Sequence, residues 1–155
     1  MTTTDTAVTV TRQIDVPAGE IFQLLTLPAR HPEIDGSGNV RSGTDQRIQA
    51  VGDVFTMNMH REDQGGDYTT ENTVTGFDPN KLVAWKPAKT GTTVEDNGWE
   101  WVWELESLAE DQTQVTQTYT WKDANPAILK QVHFPMISEE ELEQSMNRLA
   151  AAVAS

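Results

Sequence analysis

The chain has 155 residues, with eleven basic against twenty-four acidic side chains and a formal charge of −13. That balance argues against nucleic acid and anionic membrane as partners, because phosphates would be repelled and no Lys/Arg cluster offsets the repulsion; its plainest meaning is solubility. Cysteine is absent, which removes disulfides, thiol catalysis and thiolate metal sites.

The chain begins Met-Thr-Thr-Thr-Asp, without a basic region followed by an apolar run, so no secretory signal is expected and the expected location is cytoplasmic. No apolar stretch approaches the roughly 20 residues that cross a bilayer, so no membrane insertion is expected either. The length fits one domain, 1–155, large enough to bury a core or wrap a cavity.

Val8, Val10 and Ile14 alternate with polar residues and predict an opening strand. Pro17 suits the start of a short helix whose apolar side is Ile21, Phe22, Leu24 and Leu25. Pro28, Pro32 and the Gly36-to-Gly38 segment then interrupt regular structure. From about Val40 to Lys122 strands and turns repeat. Phe55, Met57 and Met59 alternate, Gln64 to Asp67 reads as a hairpin turn, and Tyr68 to Phe77 forms the returning strand. Asp78 to Asn80 turns the chain into Leu82 to Trp85, and a polar loop over 89–98 leads to the next strand.

That strand holds three of the five tryptophans. Period-two alternation puts Trp99, Trp101, Trp103 and Leu105 on one face and Glu100, Glu104 and Glu106 on the wet one. An inward aromatic stripe is either a core seam or the wall of a pocket, and a pocket is the expectation. Glu110 to Gln112 turns into a strand from Val115 to Trp121. The period then changes. Ser138 and Glu141 form a capping box, followed by Leu142, Met146, Leu149, Ala150 and Val153 on one stripe of a helix of about four turns. A strand, short helices, a meander and a long terminal helix make an α+β layout.

Among polar residues, parity places Arg61 with Met57 and Met59, Tyr68, Thr70 and Asn72 with Val74, and Gln117 with Val115 and Tyr119. These groups either orient a polar part of a ligand or bond to one another and to water. One β-bulge would flip a face. The histidines His31, His60 and His133 have no metal-ligand spacing, and no metal or cofactor is implied. His60 falls on the solvent face, and His31 is expected at the surface or capping a loop near Glu33 and Asp35. Ile128, Leu129, Val132, Phe134 and Met136 suggest a short helix or lid, or else a protein-contact patch.

Several segments resemble the START-like, helix-grip (SRPBCC) superfamily, in particular its polyketide cyclase/dehydrase-like members. They are Thr11 to Pro17 running into the first helix, His31 to Gly36, Val51 to Phe55, Val74 to Pro79, the Trp85 strand and the terminal helix. The resemblance implies a curved antiparallel sheet around the C-terminal helix, two short helices after the first strand, and a cavity between sheet and helix. Relatives use that cavity for lipids, sterols, polyketides and plant hormones.

The leading expectation is therefore binding of a hydrophobic or aromatic small molecule. Its expected site comprises Phe55, Met57, Met59, Arg61, Tyr68, Asn72, Trp101, Trp103, Gln117, Tyr119, Leu142, Met146 and Leu149. A cyclase or dehydratase is the alternative, with Tyr68, Tyr119, Arg61 and His31 as the available acid/base groups. A third reading is a protein-interaction module of co-chaperone or toxin-like type.

Overall fold

The structure is a computed structural model that describes residues 2–3, 6–62, 65–93, 97–131, 134–135 and 137–154. Gln64 of the expected hairpin turn, and Val132, His133 and Met136, lie outside the described residues. Strands β1 (Thr2–Thr3) and β2 (Ala7–Ile14) are followed by α1 (Ala18–Leu25) and a 3-10 helix (Pro28–Glu33). The meander is β3 (Val40–Gly43), β4 (Val54–Arg61), β5 (Gly66–Asp78), β6 (Leu82–Lys89), β7 (Glu100–Ala109) and β8 (Gln112–Thr120). Two helices follow, α2 (Pro126–Gln131) and α3 (Glu139–Ala154).

All neighbouring strands pair antiparallel in one curved sheet ordered β1-β2-β8-β7-β6-β5-β4-β3. The order explains how the two ends of the chain meet: β2 pairs with β8 over its whole length, from Ala7 opposite Thr120 to Ile14 opposite Thr113. Along β8 the inward positions Thr113, Val115, Gln117 and Tyr119 are buried, as the period-two pattern requires. The bulge in β5 falls between Val74 and Gly76, beyond the Tyr68-to-Val74 run, so the parity of Thr70, Asn72 and Val74 survives and all three are buried.

Helix α3 starts at the capping box. The Ser138 amide donates to Glu141 Oε1 at 3.0 Å, and the Glu141 amide donates to Ser138 Oγ at 3.2 Å. This satisfies amides that a helix start otherwise leaves unbonded. Leu142, Ser145, Met146 and Leu149 form its buried stripe, which packs on β2, α1 and the 3-10 helix. Gly36 permits this approach. A Cβ there would lie within 2.6 Å of the Ser145 backbone nitrogen and closer still to the Glu141 carbonyl oxygen. The Gly36 amide also donates to Ser145 Oγ at 2.8 Å. What the sequence suggests as a loose Gly-Ser-Gly segment is thus a tight backbone crossing.

Candidate functional site

A pocket of about 370 Å³ lies between the sheet, the segment after the 3-10 helix, α2 and α3. Its volume falls within the range of small-molecule sites, about 300–1,000 Å³. Strand β4 contributes Met57, Met59 and Arg61, and β5 contributes Tyr68, Thr70 and Asn72. From β6 come Trp85, Pro87 and Lys89, and from β7 Trp101 and Trp103, with Trp99 just before the strand. Strand β8 supplies Gln117 and Tyr119. Ser145 of α3, Ile128 of α2 and Ile137 close one side.

The aromatic wall has defined geometry. Trp101 faces Tyr119 across the β7–β8 ladder, and their rings stack with centroids 4.4 Å apart at an interplanar angle of 16°. Gly98 sets the direction of the neighbouring Trp99. Its φ of +91° suits glycine, and a Cβ would collide with the backbone of Asp123 and Ala124. Trp99 in turn lies 5.8 Å from Phe134, whose ring stacks on Trp121 at 5.6 Å. The Phe134 ring is thereby held between Trp99 and Trp121.

Four of the expected wall residues do not line the pocket. Leu142, Met146 and Leu149 are 0%, 3% and 0% exposed because the α3 stripe is spent on packing against β2, α1 and the 3-10 helix. Phe55 sits edge-on to His31 and Trp85, at 5.9 and 5.5 Å, and so belongs to the packing around those rings. The other nine expected residues come together around the pocket. Trp85, Trp99 and Ser145 join them without having been assigned to it. Trp99 was already marked by its stripe, whereas Trp85 ends an apolar run, Leu82 to Trp85, with no alternation to reveal a face.

His31 is not a surface residue. The 3-10 helix turns it inward, where it is 5% exposed and lines the pocket. Its ring stacks on Trp85 at 5.2 Å, and Nε2 lies 2.7 Å from the Leu25 carbonyl oxygen. A carbonyl only accepts, so Nε2 carries the proton and donates. Burial pushes its pKa down to about 4, against smaller upward contributions from the Leu25 hydrogen bond and the Asp35 charge. At neutral pH the imidazole is uncharged.

His60, on the opposite face of the sheet, behaves in the reverse manner. Its two ring nitrogens lie 2.6 Å from Asp67 Oδ1 and 3.0 Å from Glu62 Oε1. The hydrogen bond to Asp67, then that to Glu62, raises its pKa.

The other polar wall groups are mostly tied into the protein. Asn72 Nδ2 donates to the Phe55 carbonyl at 3.1 Å and to Thr70 Oγ1 at 3.1 Å. Asp35 accepts from the Val40 amide at 2.7 Å and from Ser37 Oγ at 2.7 Å. Lys89 Nζ lies 5.3 Å from the centre of the Tyr68 ring, within cation–π range. Among the described residues no group of three or more His, Asp or Glu is placed to hold a metal ion. Among the described residues no helix is long and apolar enough to cross a membrane.

Comparison with known proteins bears on the fold and the family. The structure superposes on protein Ms6760 from Mycobacterium smegmatis with a TM-score of 0.67 at 18% identity, over 96% of this chain and 95% of that one. It also superposes on DynU16, a putative protein in the dynemicin biosynthetic locus, with a TM-score of 0.64 at 16% identity, over 98% of this chain and 48% of that one.

These likenesses show a shared fold, a curved antiparallel sheet with a C-terminal helix. In sequence, the chain is 36% identical over 118 residues to the uncharacterized protein Rv0088 of Mycobacterium tuberculosis, covering 74% of this chain and 48% of that protein. The chain thus spans about half the length of the curated relatives it matches. The family model described as "Activator of Hsp90 ATPase homolog 1-like protein" matches residues 15–154, and the chain belongs to that family.

Proposed function

We propose that this protein binds a hydrophobic, largely aromatic small molecule in the pocket between its sheet and its C-terminal segments. The observation that carries this reading is the aromatic wall. Four tryptophans and Tyr119 converge with Met57 and Met59 on one space of about 370 Å³. Left dry and empty, a space of that size would cost on the order of 9 kcal/mol. That rivals the ~5–15 kcal/mol of stability a domain usually has, so the space is occupied by water or by a ligand rather than dry. Flat indole faces accept planar rings by offset stacking. The adaptable thioethers of Met57 and Met59 suit irregular ligand shapes.

The family's description names an activator of Hsp90 ATPase, and a large exposed apolar patch is one mark of a protein-contact surface. The large exposed apolar side chains among the described residues are Val51, Val54, Leu108 and Leu129. They are divided among the β4 region, the end of β7 and α2, and among the described residues they do not gather into such a patch.

The test is a panel of lipids, sterols and polyphenols, read by tryptophan emission and thermal midpoint. A bound member should shift the emission and stabilise the fold by about 2.7 kcal/mol at a hundredfold excess over its dissociation constant. A panel that moves neither signal would count decisively against the proposal.

A further inference from the structure

The Gln117 side chain is 3% exposed and lines the pocket, and its Oε1 has no hydrogen-bond partner. The contrast with its neighbours is informative. His31, Asp35, Asn72 and Ser145 line the same space, and each is bonded to another part of the protein. A buried carboxamide oxygen left without a partner is costly, and such a group calls for a partner from outside the protein.

Its surroundings define that partner further. Gln117 pairs across the ladder with Trp103, and the stacked Trp101–Tyr119 pair occupies the next inward-facing position of the same two strands. The amide is therefore a buried polar point in an aromatic wall that also carries the Tyr119 hydroxyl. We infer that the ligand is a planar aromatic carrying a hydroxyl, and that this hydroxyl hydrogen-bonds to the Gln117 carboxamide while the rings lie along Trp101 and Trp103. A hydroxyl suits the position because it both donates and accepts. The terminal torsion of glutamine is soft, so the amide can present either of its ends to it. The inference rests on the small-molecule reading above and narrows it to one chemical class.

Equilibrium dialysis at neutral pH with a naphthol and with the methylnaphthalene of the same substitution pattern tests it. The two probes have nearly the same shape and differ in the hydroxyl. Wild-type protein should bind the naphthol more tightly, by roughly tenfold to a hundredfold. Gln117→Leu should lose that preference by weakening naphthol alone. If Gln117→Leu does not fold, Gln117→Met, an unbranched apolar side chain of similar length, replaces it.

Equal binding of both probes to the wild type would mean that water satisfies Gln117 as well as a ligand does, overturning this inference and leaving the pocket reading intact. A naphthol preference that persists in the variant would place the hydroxyl elsewhere and overturn it as well. Binding of neither probe would overturn this inference, and the wider panel of lipids, sterols and polyphenols decides the pocket reading separately.

Discussion

Acidification offers a sharp test of where His31 sits. Unfolded, the ring titrates near its ordinary value of 6.5; folded, burial holds its pKa at about 4. Between those values the unfolded state binds a proton that the folded state refuses, so stability falls as pH drops through the window. The slope is about 1.4 kcal/mol per pH unit inside it, and going from about pH 7 to about pH 5 should remove about 2 kcal/mol through this group alone. Other groups titrate over part of the same range, so the informative quantity is the difference between wild type and His31→Gln. Glutamine can still donate to the Leu25 carbonyl but has no proton to gain. Urea denaturation across that range should show the wild type losing about 2 kcal/mol more than the variant, apart from any constant offset between them. Parallel profiles would refute the burial of an uncharged His31.

His60 should act with the opposite sign. Its carboxylate partners raise its pKa, so its contribution is present below the ordinary histidine value and lost as pH rises through the folded value; an NMR titration should find His60 as the more basic of the two rings. Met146→Ala should cost roughly 2–5 kcal/mol, and Met146→Trp should disrupt folding, because Met146 is packed core rather than pocket wall; tolerance of the larger residue in a thermal melt would contradict that placement. Gly36→Ala should destabilise by about 1–3 kcal/mol through overlap with the α3 backbone, and a neutral result in urea denaturation would deny the close crossing. Ser138→Ala should cost about 1 kcal/mol by the same measurement, from loss of the cap on the Glu141 amide.

The fold was legible wherever a period was clean. Alternation through Trp101, Trp103 and Leu105, and through Val115, Gln117 and Tyr119, identified inward faces that the register of β7 and β8 brings together. The capping box marked the start of α3 because its two hydrogen bonds are local. What lay beyond reach was which surface each buried stripe would meet. Leu142, Met146 and Leu149 read correctly as an apolar face, but only the sheet's curvature directs that face toward β2 and α1. His31 had no periodic neighbours. Its burial depends on the 3-10 helix turning it beneath Trp85, a contact spanning more than fifty residues of sequence.

The five indole N–H groups give the most direct test of the central claim, because four of the tryptophans line the pocket and Trp121 does not. Assigned heteronuclear NMR spectra recorded while titrating the naphthol, the methylnaphthalene and members of the wider panel would report on each indole separately. A binding probe should shift Trp85, Trp99, Trp101 and Trp103 saturably and move Trp121 least. Spectra in which none of the four moves with any probe at its solubility limit, or in which Trp121 alone responds, would contradict that claim.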